Sequence, residues 1–155
     1  CMAASTNLNN SGTAVDHLAM VKGDVDDLGY IFSEGLENKL SLSRYMSLSR
    51  MMNAFFTVSL PKLLAEKYPD IYTVYAGGDD FVLVGPWEEA LEASMGIRQA
   101  FYRFTGENES ITLSVGISIF RPRQPVLGAV EEAEVMLERA KQIPYKNGIC
   151  VFGNV

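Results

Sequence analysis

One histidine, one tryptophan and two cysteines are all that 155 residues contain of those types, and the scarcity removes several chemistries at once. With Cys1 and Cys150 as the only thiols and His17 as the only imidazole, the chain has no Cys/His cluster for zinc. Two cysteines so far apart do not make the framework of a disulfide-stapled secreted domain either. Nucleophile pairs of the Ser–His or Cys–His kind are equally hard to build, because His17 follows a polar leader and is expected on the solvated surface. A charged segment followed by a short apolar core is missing, and so is an apolar run long enough to cross a bilayer. The expectation is a soluble, unexported protein in a reduced, cytoplasmic setting. Basic residues are short as well: 13 Lys and Arg against 19 Asp and Glu give a net charge of −6. That balance argues against a strong grip on a nucleic-acid backbone by this chain alone, so a nucleic-acid partner would be reached through other chains.

What is present is an apolar content of 48%, enough for one domain with a real core. Residues 1–16, rich in Asn, Ser, Thr and Ala, read as a flexible leader or linker remnant, and 17–155 as the domain. A chain that opens on Cys1 rather than Met, with its first strand only near Leu18, reads as an excised domain. Leu18–Val25 is a short apolar run ending in acids, the pattern of a buried strand opening into a loop. From Ser41 to Glu66, apolar residues recur at three- and four-residue spacing, the period of a long amphipathic helix that Pro61 is placed to bend. Ile71–Ala76 and Phe81–Val84 form a hairpin about Gly77-Gly78-Asp79-Asp80. A helix over 88–104, a strand over 111–119, a helix over 126–141 and a strand over 149–152 complete the chain, with Asn147-Gly148 as the turn before the last strand. This order predicts an α+β fold, a ferredoxin-like βαββαβ sheet with its helices on one face, with one helix and strand appended.

The acids carry the chemistry. Gly77 and Gly78 supply the positive φ angles of a tight turn and one aspartate completes it, but no turn type requires two adjacent carboxylates that repel one another. Asp24, Asp26 and Asp27 close the first strand, which in a ferredoxin-like sheet lies beside the hairpin. Asp24, Asp79 and Asp80 can therefore converge. Hard oxygen donors of this kind suit two Mg²⁺ or Mn²⁺ ions, which would clamp the attacking and leaving oxygens of a displacement at phosphorus. An acidic but empty turn is the alternative. Leu28, Gly29, Tyr30, Ile31 and Phe32 offer either backbone N–H groups for a triphosphate or a loop packed into the core. Lys141 and Lys146 are helix-terminal and loop cations, solvated unless phosphates lie nearby.

Taken together, the stretches VKGDVDDLGYIFSEGL, SLSRYMSLSRMMNAFF, YAGGDDFVLVGPW, ITLSVGI and AKQIPYKNG resemble, in order and spacing, the catalytic GGDD Palm domain of the large subunit of type III CRISPR effector complexes. Diguanylate cyclases share the core fold, but their turn usually reads GGDEF or GGEEF, and Asp80 departs from it. The resemblance implies a nucleotidyltransferase that, once target RNA is bound, converts ATP into 3′–5′ cyclic oligoadenylates in antiviral defence. It assigns two metal ions to Asp24, Asp79, Asp80 and the Val25 carbonyl, the triphosphate to the amides of Leu28–Phe32, and its outer charges to Lys141 and Lys146. Ser49 becomes the candidate contact to the adenine edge, with Ser47 and Asn53 within one turn, and Asp26 and Asp27 match the motif as loop-shaping residues. Implied partners are ATP, other effector subunits and through them guide and target RNA, and a second Palm or a second copy to complete the site. The family's nuclease, zinc-binding, second Palm and helical domains lie outside these 155 residues. The alternatives are a cyclic dinucleotide cyclase and a non-catalytic module that binds ATP or metal.

Overall fold

The computed structural model describes residues 17–33, 42–144 and 146–153. The expected leader, 1–16, and the expected helix start at Ser41 lie outside the described residues. The first strand, β1 (Leu18–Val25), occupies the stretch read from the sequence. Its odd-numbered residues Ala19, Val21 and Val25 enter the main core, while Met20 is buried on the opposite face. A strand buried on both sides reads as a continuous apolar run, which is why LAMV opens it.

A short helix, α1 (Leu28–Ser33), follows β1, and the long amphipathic segment comes next. That segment is not one helix: α2 (Leu42–Ala54) passes through a π-helical turn (Phe55–Ser59) into α3 (Leu60–Lys67). The bend expected at Pro61 is thus spread over the preceding turn. Proline has no N–H for the carbonyl four residues back and its ring crowds that group, so the turn upstream widens. Thr57 Oγ1 donates to the Asn53 carbonyl at 2.7 Å and satisfies one group in the widened turn. Phe55 and Phe56 point into the core from it, edge-to-face with centroids 5.1 Å apart, and Phe55 meets Phe101 at 5.0 Å.

The hairpin is β2 (Tyr72–Gly77) and β3 (Asp80–Pro86), followed by α4 (Trp87–Phe104), β4 (Leu113–Phe120), α5 (Val126–Gln142) and β5 (Ile149–Val151). The strand expected over 111–119 begins two residues later, because Ile111 is held in a turn by its N–H to the Asn108 carbonyl. The last strand stops at Val151, since Phe152 takes a φ of 54°. His17 is half-buried rather than solvated, and its carbonyl accepts from the Trp87 N–H at 3.3 Å.

Strand order is β2-β3-β1-β4-β5, antiparallel except for the β4–β5 pair. The first four strands make the ferredoxin-like order, with the α2–α3 and α4 connections on one face, where Met52, Phe56, Leu60, Ala93, Ile97 and Phe101 pack on Val21, Leu83 and Val115. The appended α5 covers the other face of β1 and β4. A Cβ on Gly116 of β4 would fall well inside van der Waals distance of the Ala133 carbonyl oxygen and the Leu137 nitrogen, so only glycine admits α5 this close. That docking brings the C-terminal end of α5 to the end of β1 where the acids are.

Candidate active site

Antiparallel pairing sets Asp24, near the end of β1, directly opposite Asp80, the first residue of β3. On the hairpin, Gly77 pairs with Asp80 and leaves Gly78-Asp79 as a two-residue turn. Only Gly78 has positive φ, 67°, as a primed hairpin turn with glycine first requires. The expectation that Gly77 shares this role is corrected: it is the last residue of β2. The turn is anchored twice. The Val25 N–H donates to the Asp79 carbonyl at 3.1 Å, and the Gly78 N–H donates to Asn53 Oδ1 on α2 at 3.1 Å. The three acids expected to converge are thus gathered at one sheet end, Asp79 beside Asp80 and both across from Asp24.

Their electrostatics are unfavourable without a cation. Burial pushes the Asp24 carboxyl up from its ordinary range, and Asp79 and Asp80 add to the rise against the hydrogen bond and charge of Lys141. Asp80 is raised by burial and then by Asp79, with Lys22 opposing. Lys141 donates to Asp24 Oδ2 as an ion pair. Burial lowers the pKa of this lysine, but the hydrogen bond and charge of Asp24 outweigh it and leave the ammonium above its ordinary value. Lys146 pairs with Asp27 in the same way. Both lysines that the sequence left as either solvated charges or phosphate partners therefore stand against the acidic edge.

The remaining candidates divide. Leu28, Gly29 and Ser49 line a cleft of about 290 Å³ together with Tyr45, Met52, Gly78 and Asp79. Tyr30 is exposed on α1, and for Ile31 and Phe32 only the helical backbone is described. The first-turn N–H groups of α1 have no intrahelical partner, as at any helix start. Ser47 donates to the Ser43 carbonyl at 2.8 Å, within its own helix, and Asn53 serves the turn rather than the cleft. Val25 directs its N–H at Asp79, and no contact of its carbonyl decides the role expected of it.

As a test of fit for metal ions, the donor set is right: carboxylates that repel each other, two of them raised in pKa, in a place where a cation would relieve both the repulsion and the burial. Among the described residues, no three Asp, Glu, His or Cys side chains are already close enough to form a cage. The cation beside Asp24 in this structure is the Lys141 ammonium.

Sequence reasoning named Asn53 and Asp26 without finding their partners, and missed two residues of the cleft. Asn53 holds the turn, and Tyr45 and Met52, read only as part of an amphipathic stripe, line the cleft. Asp26 is 2% exposed and accepts from Thr112 Oγ1 at 2.7 Å, Ser114 Oγ at 3.0 Å and the Asn147 N–H at 3.2 Å. Of these, only Asn147 carried a local signal, the Asn-Gly turn.

The same fold and turn have counterparts among known proteins. Residues 17–150 match the family described as Cas10/Cmr2, second palm domain. The CRISPR system single-strand-specific deoxyribonuclease Cas10/Csm1 (subtype III-A) of Methanocaldococcus jannaschii is 40% identical over 140 residues, covering 83% of this chain and 18% of that protein. Its counterpart in Streptococcus thermophilus is 34% identical over 157 residues, covering 97% and 20% respectively. The chain therefore spans about a fifth of the curated relatives it matches. Among solved structures, Csm1–Csm4 cassettes in complex with AMPPNP and with cA4 each superpose with a TM-score of 0.71 at 33% identity, over 81% of this chain and 19% of theirs. A match of that reach, over a range that includes the strands and turn that gather the carboxylates, shows that the chain belongs to the Cas10/Cmr2 second palm domain family of the type III CRISPR systems.

Proposed function

We propose that this palm is a nucleotidyltransferase that joins ATP into cyclic oligoadenylates through 3′–5′ linkages, with release of pyrophosphate. The observation that carries the reading is the pairing of Asp24 with Asp80 across the β1–β3 ladder, beside a cleft whose wall includes Asp79. Similar proteins support it: Csm1–Csm4 cassettes are known with one ATP, with pppApApA and with cA4, a nucleotide, a linear adenylate and a cyclic one.

In this reading the base and ribose of ATP enter the cleft between α1 and α2. Its volume, about 290 Å³, is at the low end for a small-molecule site, roughly 300 Å³ upward, so the triphosphate extends out over the acidic edge. Ser49 meets the adenine edge, and the first-turn amides of Leu28–Phe32 receive the phosphates. Asp24, Asp79 and Asp80, with the Val25 carbonyl, would hold two Mg²⁺ or Mn²⁺ ions, whose charge would supply stabilisation of the attacking and leaving oxygens of an in-line displacement. Lys141, displaced from Asp24, and Lys146, displaced from Asp27, turn their ammonium groups to the outer phosphates. The 3′-hydroxyl of one ATP forms a bond to the α-phosphorus of another, the bond from that phosphorus to the bridging oxygen breaks, and pyrophosphate carries the electron pair away. The hydroxyl proton passes to water, since the single imidazole, His17, stands at the opposite end of β1 from Asp24.

Two ATP molecules must meet, and this cleft is the place of one. A second palm or a second copy of this chain supplies the other face. Other effector subunits, a Csm4-like chain among them, and through them guide and target RNA, are the partners that set its activity. The chain belongs to the interior of a cell in this reading, and no described helix is long and apolar enough to cross a membrane.

The test is product analysis: the assembled complex carrying this palm is given ATP or GTP with Mg²⁺ or Mn²⁺ and target RNA. Linear and cyclic 3′–5′ adenylates, formed from ATP and absent when metal is chelated, are expected. Equal use of GTP with a cyclic dinucleotide as product would replace the proposal with a dinucleotide cyclase. Because Lys141 already occupies Asp24, a binding module is the second reading, and tight ATP binding without product in either metal would establish it.

A further inference from the structure

Asp27, Lys146 and Asn147 have φ values of 52°, 49° and 57°. None is glycine, two of them are consecutive, and Lys146 in particular lacks the local hydrogen bonding that lets Asn and Asp adopt this region, so the surroundings must favour the arrangement. The enforcement comes from one buried carboxylate and one guanidinium. Oδ2 of Asp26 accepts from Thr112, Ser114 and the Asn147 N–H. The Asp26 N–H is itself fixed to the Thr112 carbonyl at 2.9 Å. From α4, Arg98 reaches over the same loop: its Nε donates to the Leu113 carbonyl at 3.2 Å, and its Nη2 donates to the Asn147 carbonyl and, at 2.7 Å, to Asn147 Oδ1. Burial lowers the Arg98 pKa and the charge of Asp26 opposes that shift, and both groups hold Asn147. The loop so gripped ends in Lys146, whose ammonium is set on Asp27, one residue before α1.

We propose that Asp26, acting with Arg98 and Asn147, is a positioning residue that fixes Lys146 at the start of α1 and so sets the affinity for the outer phosphates of the nucleotide, rather than a ligand of the metal ions. The inference rests on the nucleotide reading above. Asp26 stands two residues from Asp24, and the other oxygen of its carboxylate is buried with no hydrogen-bond partner. At 2% exposure it is closed to bulk solvent. Its work is to accept hydrogen bonds, and an amide oxygen in the same place accepts them as well. A carboxylate that held an ion by its charge would lose most of its grip in that exchange, because the amide is neutral.

Binding of ATP and of AMP is measured with Mg²⁺ on the whole chain and on four variants: Asp26→Ala, Asp26→Asn, Lys146→Ala and the Asp26→Ala/Lys146→Ala pair. Near-UV circular dichroism accompanies each variant to show that its core is intact. Lys146→Ala is expected to weaken ATP on the order of tenfold, the worth of one charge-assisted contact. AMP, lacking the outer phosphates, stays unchanged. Asp26→Ala reproduces that pattern, the pair loses no more than either single variant, and Asp26→Asn retains most of the affinity. Equal weakening of ATP and AMP by Asp26→Ala, losses that multiply in the pair, or an Asp26→Asn variant as weak as Asp26→Ala would each overturn the proposal. Wild-type chain that binds no ATP with Mg²⁺ would overturn the nucleotide reading and this proposal with it. Wild-type binding that Asp26→Ala leaves untouched would overturn this proposal alone.

Discussion

Asp80 opens β3 with Asp79 beside it and Asp24 across the ladder, and burial and the Asp79 charge hold its carboxyl above the ordinary range. A carboxyl whose pKa is raised by folding binds its proton more tightly in the folded chain than in the unfolded one. Its contribution to stability is full below the unfolded pKa and is lost as pH rises through the folded one. Replacing Asp80 with asparagine should therefore raise the thermal midpoint of the metal-free protein at neutral pH. The gain should vanish near about pH 3, where the wild-type carboxyl is itself protonated. A variant less stable than wild type at neutral pH would show that the carboxylate stabilises the fold. Removing Asn53, by contrast, leaves the Gly78 N–H without its acceptor, and Asn53→Ala should cost about 1 kcal/mol in chemical denaturation, the worth of an ordinary hydrogen bond. At this scale the sequence was informative wherever chemistry is written between neighbours. Asp79 beside Asp80, and Asp24 at a strand end, can be read as a charge problem without coordinates. The service of Asp26 cannot, because its partners arrive from 86, 88 and 121 residues away.

Among the elements, α5 has the most direct consequence for the acidic edge. It packs on β4 where Gly116 leaves no room for a side chain, since a Cβ there would collide with the Ala133 carbonyl oxygen, and its last turn brings Lys141 to Asp24. Gly116→Ala forces helix and strand apart and is expected to destabilise by about 1–3 kcal/mol, as overpacking of a filled core does. The same change should carry Lys141 away from the acidic edge and out of reach of the outer phosphates, so that ATP affinity falls along with stability. Unchanged denaturation midpoints would mean that α5 is loosely docked. Periodicity revealed α5 and α4, but it showed the segment from 41 to 66 as one helix. Apolar spacing tolerates a π-helical turn, and only the missing N–H of Pro61 hints at one. That turn has a functional position, directly after Asn53 on α2, so the helix that lines the cleft also holds the acidic turn. Which face α5 would take could not be read from the order of elements, since the face it covers mixes Met20 and Phe120 with Lys22 and Ser118, which pair with Glu134 and Glu132 of α5.

For the molecule as a whole, a net charge of −6 and a sheet end carrying three carboxylates describe a protein that waits for cations. The ferredoxin-like order was legible because each element has a clean period and each turn a glycine, proline or asparagine to mark it. The site was legible in its acids and obscure in its supports, which are tertiary. In the proposed function the palm binds nucleotide through metal before any chemistry, and anything that binds only the folded state raises its stability. The most direct measurement is thermal unfolding of wild type and of the Asp79→Ala/Asp80→Ala variant, each with ATP, with Mg²⁺ or Mn²⁺, and with both. The account predicts an upward shift in wild type that needs ATP and metal together, and a variant that folds at least as well without ligand but shows no such shift. A shift that survives loss of both aspartates, or a wild type that ATP and metal leave unmoved, would contradict it.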